Sequence, residues 1–129
     1  MTEAVASGTF DVQMTPLGTA DAPVAAMSLA KTFHGDLDGT SVGQMLAIRS
    51  PVAGSAGYVA MERVTATLGG RHGSFALQHS GTMDRGAPTL SVTVVPDSGS
   101  DGLAGLAGTM TIDVTGGGHR YDLRYTLPA

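Results

Sequence analysis

The 129-residue chain has no cysteine, a single lysine and only six aromatic residues. The absence of cysteine excludes disulfides, thiol catalysis and thiolate metal sites. Seven basic residues, scattered rather than striped and outweighed to a net charge of -4, lack the electrostatic footprint of a nucleic-acid binder. No apolar run approaches the roughly 18 residues of a membrane span. The opening MTEAVASGTFDV has neither the basic nor the apolar segment of a secretion signal. These absences point to a cytoplasmic protein with neither nucleic acid nor membrane as partner. The length suits one domain over residues 1–129 with a single core, its first six residues flexible.

Helix signals are also scarce. Nineteen glycines and frequent Thr and Val favour short strands joined by tight turns. Strands are expected near 7–14, 26–37, 40–49, 57–68, 73–83, 89–95, 109–115 and 118–127. Eight strands with short glycine-containing connections predict an antiparallel meander, closed into a barrel or folded into a sandwich. The stretch PDSGSDGLAGLAG, Pro96 to Gly108, reads as a compact connection with one short helical turn near 102–108.

Turn chemistry gives the registers. Asp38-Gly39 is a strong two-residue hairpin signal. It would pair Leu37 with Thr40, Phe33 with Gln44 and Lys31 with Leu46. A Gly116-Gly117 turn would pair Ile112 with Tyr121 and Met110 with Leu123. A two-residue Gly69-Gly70 turn would set Glu62 opposite Leu77 and Ala60 opposite His79, making Glu62 and His79 diagonal neighbours. A four-residue turn over 69–72 would set them directly opposite. Either way the two side chains share a face at roughly 4.5–8 Å.

Four polar groups interrupt the apolar faces of these strands: Lys31, Gln44, Glu62 and His79. Residues two apart in a strand point the same way, so all four are expected inside with the hydrophobic set. A buried charge must be paired or neutralised. Two readings account for them. One is a satisfied structural network. The other is an acid/base constellation in a pocket, with burial raising the Glu62 pKa toward neutrality. The inward-facing aromatics Phe33, Tyr58, Phe75, Tyr121 and Tyr125 are core residues in the first reading and walls of a substrate cavity in the second.

Other motifs carry no chemistry. GTSVG, Gly39 to Gly43, matches a nucleophile-elbow pattern, but that motif needs a strand-to-helix turn in a larger α/β sheet. DSGSDG, Asp97 to Gly102, begins like a calcium loop, yet the twelfth position holds Gly108 rather than an acid. Histidines 34, 72, 79 and 119 have no metal-ligand spacing. Neither metal nor cofactor is expected.

The strings KTFHGDLDGTSVGQML (Lys31 to Leu46), GSAGYVAMERVTATLGGRHGSFALQHSGTM (Gly54 to Met83) and LSVTVVPDSGS (Leu90 to Ser100) resemble a bacterial family known as a domain of unknown function. The resemblance runs from about Gly8 to Leu127. It implies a small eight-stranded antiparallel β-barrel similar to allene oxide cyclases, and, through those relatives, a homo-oligomer. The uncharged outer row Ser91, Thr93 and Val95 also suits self-association. The function expected is a cofactor-independent isomerase or cyclase acting on a small, largely apolar molecule in the lumen. Glu62 and His79 would be its catalytic groups, with Lys31, Phe33, Gln44, Tyr58, Phe75, Tyr121 and Tyr125 around the substrate. The alternatives are a non-catalytic binder of a small hydrophobic ligand, and a filled barrel with no ligand.

Overall fold

In a computed structural model, residues 3–19 and 21–129 are described. Nine strands follow one another: β1 (Ala4–Leu17), β2 (Ala25–Gly35), β3 (Leu37–Arg49), β4 (Ala56–Leu68), β5 (Arg71–Asp84), β6 (Ala87–Val94), β7 (Ser100–Asp101), β8 (Ala107–Asp113) and β9 (His119–Thr126). Eight of them form an antiparallel up-and-down barrel, closed where β9 pairs with β1. The two-residue β7 only adds to the start of β5. Closure leaves no full-length edge strand. The β1 strand reaches into the N-terminal stretch expected to be flexible: it begins at Ala4, and Ala6 is buried, while residues 1 and 2 lie outside the described ones. Among the described residues no helix is long and apolar enough to cross a membrane.

The β4–β5 hairpin turns on Gly69-Gly70, with Glu62 opposite Leu77 and Ala60 opposite His79. Both glycines have positive φ, 59° and 78°, as a two-residue turn of this hand requires. The β8–β9 register likewise joins Ile112 to Tyr121 and Met110 to Leu123.

The β2–β3 hairpin departs from expectation. Phe33 pairs with Gly39 and Lys31 with Ser41, so the chain reverses around Asp36 and Asp38-Gly39 lies inside β3. The Tyr121 hydroxyl holds this reversal, reaching over Gly8 of β1 from β9. It accepts from the Leu37 N–H at 2.9 Å and lies 3.0 Å from the carbonyl oxygens of His34 and Leu37. Leu37 is fully buried, and Gly35 takes a φ of 105°. These tertiary contacts outweigh the local Asp-Gly preference. The register sum changes by an odd number, which sends every β3 side chain to the opposite face. Gln44, expected inside, is exposed, along with Val42 (67% exposed), Leu46 and Ile48 (56%). The inner face of β3 instead carries Leu37, Gly39, Ser41, Gly43 and Met45.

This register predicts the response to a methyl group. A Cβ on Gly39 would lie 2.6 Å from both Ala66 Cα and Ala66 Cβ, and closer still to the Thr65 carbonyl oxygen, whereas a Cβ on Gly116 would meet nothing within 4 Å. Gly39→Ala should destabilise by about 1–3 kcal/mol in urea unfolding, and Gly116→Ala should be close to neutral. Equal effects from the two would count against the observed register.

The lumen is filled at one end. Phe33, Leu37, Val64, Leu68, Phe75, Leu77 and Leu123 pack there, and the β7–β8 connection adds Leu103 and Leu106, both buried, as a plug. The expected helical turn near 102–108 is not present. Successive turns, with bonds from Leu103 N–H to Ser100 O (3.0 Å) and from Leu106 N–H to Leu103 O (3.1 Å), take its place. Gly105, at a φ of 83°, reverses the chain before a helix can form. From residue 107 the chain is already β8. At the other end, carrying the β1–β2, β3–β4, β5–β6 and β8–β9 connections, the interior is open.

Candidate functional site

Along β4 the inward residues run from the plug, Leu68, Ala66 and Val64, through Glu62 to Ala60 and Tyr58 nearer the opening. Glu62 thus stands on the last step above the apolar core. In β2 and β5 the same level is occupied by Lys31, next to buried Phe33, and by His79, next to buried Leu77. Among the described residues these three side chains and Ser41 are the buried polar ones, between 2% and 7% exposed.

Glu62 is the hub. Its Oε2 accepts from Lys31 Nζ at 2.7 Å and from His79 Nε2 at 2.6 Å, and its Oε1 accepts from Ser41 Oγ at 2.8 Å. Gly43 makes room for it, since a Cβ there would sit 2.8 Å from Glu62 Cβ. Burial pushes the Glu62 pKa up, and this is the largest single influence. The His79 hydrogen bond, the charge and hydrogen bond of Lys31 and the charge of His79 together outweigh it and hold the pKa at about 2. The expectation that burial would make Glu62 a neutral acid near pH 7 is therefore corrected: the carboxylate is ionised.

An ionised carboxylate only accepts hydrogen bonds, so the proton between Glu62 and His79 belongs to Nε2 of the imidazole. In neutral His79 this leaves Nδ1 as a lone-pair acceptor. Nδ1 has no partner among the described residues. Since no buried side-chain nitrogen or oxygen among them lacks one, Nδ1 must be accessible. Lys31 has further N–H groups beyond the one given to Glu62. Its Nζ lies 4.7 Å from the centroid of the Phe10 ring and 5.9 Å from that of Phe33, which gives the ammonium a partial counter-field of π electrons.

Above this floor opens a cavity of about 560 Å³. Its walls are chiefly apolar: Phe10, Val12, Leu29, Met45, Leu90 and Ile112, with Lys31, His79 and Tyr58 as inner polar points and His119 and Asp113 nearer the rim. His119 stacks on Phe10 with ring centroids 4.8 Å apart. Tyr58 lies across Gly81, which has no side chain to obstruct it. Burial and then the charge of Glu62 raise the Tyr58 pKa, so its hydroxyl keeps its proton. Among the described residues no group of three or more His, Asp or Glu is placed to hold a metal ion.

Residues 6–125 match a family described as a protein of unknown function, DUF3224. The chain belongs to the DUF3224 family. It is similar, at 42% identity over 99% of both chains and with a TM-score of 0.92, to the crystal structure of a DUF3224 protein of unknown function from Shewanella oneidensis MR-1. No curated protein matches the chain.

In this DUF3224 barrel the residues anticipated from sequence divide into three groups. Lys31, Glu62 and His79 are brought together, and Tyr58 lines the chamber above them. Phe33, Phe75 and Tyr121 are buried in or beside the plug, and half-buried Tyr125 lies toward the same closed end, so none of the four lines the chamber. They were expected around a substrate because inward parity is the same for plug and chamber; only position along the strand separates them. Gln44 is outside. Ser41 was missed because the Asp38-Gly39 turn would have put it on the outer face. The chamber residues of β1 were missed as well, although Phe10, Val12 and Met14 alternate in the required way.

Proposed function

We propose that this DUF3224 protein is a cofactor-independent enzyme of the isomerase or cyclase type, acting in the cytoplasm on a small, largely apolar molecule held in the lumen. One observation carries the reading. His79 is fixed through Nε2 to the Glu62 carboxylate at 2.6 Å, and its ring lines an apolar chamber. A carboxylate behind an imidazole sets its tautomer and stabilises the imidazolium that forms when it takes a proton. His79 is thus the catalytic residue of the proposal and Glu62 its positioning residue. The kinship to allene oxide cyclases expected from the sequence belongs to this proposal and agrees with cyclisation of a floppy molecule confined by apolar walls.

The test has two stages. The neutral dye N-phenyl-1-naphthylamine should bind one per chain, and Met45→Trp, which fills the chamber from its wall without removing a member of the hydrogen-bonded network, should abolish binding while the protein stays folded. Incubated with a metabolite extract, the protein should convert one apolar compound into an isomer of unchanged mass. His79→Gln should slow that conversion at least 100-fold, in line with the weight of general acid–base catalysis. A bound compound returned unchanged by both proteins would favour the second reading, a non-catalytic binder. That reading is supported by the complete internal satisfaction of the Glu62 carboxylate.

Self-association belongs to the proposal too. Besides the uncharged row at Ser91 and Thr93, the exposed apolar row Val42, Leu46 and Ile48 supports it. Light scattering at micromolar concentration that finds only particles of 13.0 kDa would end it.

A further inference from the structure

We infer that the lumen is built for a neutral carbonyl compound bearing a C–H bond on the carbon next to the C=O, with His79 taking that proton and Lys31 holding the oxygen. The inference rests on the lumen reading above and adds the chemistry of the substrate. The floor of the chamber presents two uncommitted polar functions side by side. One is the lone pair of His79 Nδ1, and the other is the remaining N–H capacity of Lys31. Both side chains are anchored on one atom, Glu62 Oε2, at 2.6 and 2.7 Å, which makes them neighbours. A base and a cationic donor so placed match two nearby atoms of one ligand, a carbon acid and the oxygen that receives its charge.

The charges of the step are already provided for. As His79 Nδ1 takes the α-proton, the C–H electron pair becomes the C=C bond of an enolate and the carbonyl π pair moves onto oxygen. The imidazolium that forms is hydrogen-bonded to the Glu62 carboxylate, and the enolate oxygen lies against the Lys31 ammonium. Each new charge meets an opposite one held in place before the reaction, at the foot of a chamber with chiefly apolar walls, where such preorganisation is effective. Return of the proton from His79 to the same carbon, or to a conjugated one, restores the neutral imidazole and yields the substrate or its isomer. No oxidant, reductant or further reactant is needed. A permanently anionic ligand suits the floor less well. Its charge would be buried near Glu62, and the one ammonium on the lining is already paired; the other titratable groups there are His79, Tyr58, His119 and Asp113.

The experiment follows loss of α-hydrogen signals by NMR when 2-decanone and 4-phenylbutan-2-one are incubated with the full chain in D2O. Displacement of N-phenyl-1-naphthylamine by the same ketones is measured in parallel. The wild type should exchange the α-hydrogens in proportion to protein concentration and above the buffer rate. His79→Gln should lower the protein-dependent rate at least 100-fold, and Lys31→Arg, which retains the charge, should keep more of it than Lys31→Met. Met45→Trp, on the chamber wall and outside the hydrogen-bonded network, should abolish exchange together with dye binding even if a floor variant fails to fold. Ketones that displace the dye but exchange no faster than in buffer would overturn the carbonyl inference and leave the lumen reading standing. Exchange that survives His79→Gln or Met45→Trp would overturn it as well. Failure of the wild type to bind the dye at all would overturn both.

Discussion

Glu62→Leu should cost the barrel about 3–5 kcal/mol of stability, the usual penalty for removing one partner of a buried ion pair. Glu62 and Lys31 are 2% and 7% exposed, and their contact is 2.7 Å. Without the carboxylate, the ammonium keeps only the faces of Phe10 and Phe33 as electrostatic partners, and Ser41 and His79 each lose their acceptor. A loss of this size in a domain of this length corresponds to roughly 10–20 °C in Tm. The double variant Lys31→Met with Glu62→Leu should recover part of it, because it removes the stranded ammonium while Ser41 and His79 remain without their acceptor. Urea unfolding of the two single variants and the double one gives the coupling directly. If Glu62→Leu lay within about 1 kcal/mol of wild type, the network would not be the buried, mutually dependent unit that the distances describe.

Acid should weaken the protein through the same residue. The Glu62 pKa is held at about 2, below its ordinary value of 4.5. Between those two values the unfolded chain binds the proton and the folded one does not. The stability that the depressed pKa contributes is therefore fully present above pH 4.5 and is lost as pH falls toward 2. A depression of this size corresponds to about 3 kcal/mol. Glu62→Gln has no proton to take up, so the stability gap between wild type and this variant should narrow by about that amount from pH 5 to pH 2. Titration of exposed groups, such as Asp113, whose pKa is lowered by its hydrogen bonds to Thr115, is common to both proteins and cancels in the difference. A gap that stays constant with pH would show that Glu62 titrates alike in both states.

Alternation and turn chemistry made much of this barrel legible in the sequence. Gly69-Gly70 and Gly116-Gly117 bring together residues close in sequence, and nothing distant competes with those turns, so the β4–β5 and β8–β9 registers follow from them. The inward positions of Lys31, Glu62 and His79 follow from period-two alternation in their own strands. In these three strands a lone polar residue on the apolar face was signal enough; in β3 the same signal failed, since Gln44 and the apolar row around it face outward. The β2–β3 hairpin was not legible, for the reason that also hid Ser41: its turn is held by Tyr121, some 84 residues away, and by burial of Leu37. A long-range hydroxyl and a filled core position prevail over a local dipeptide preference whose energy is small.

The sequence by itself determined the eight strands of the barrel, their alternation and the presence of an internal charge cluster, because these depend on local periodicity and on turn residues that act within a few positions. Only the tertiary structure decided which inward aromatics fill the plug and which positions open onto a chamber, since both point inward with equal regularity. It also decided the ionisation of Glu62. Burial and hydrogen bonding pull that pKa in opposite directions, and the winner is fixed by how closely Lys31 and His79 approach a single oxygen.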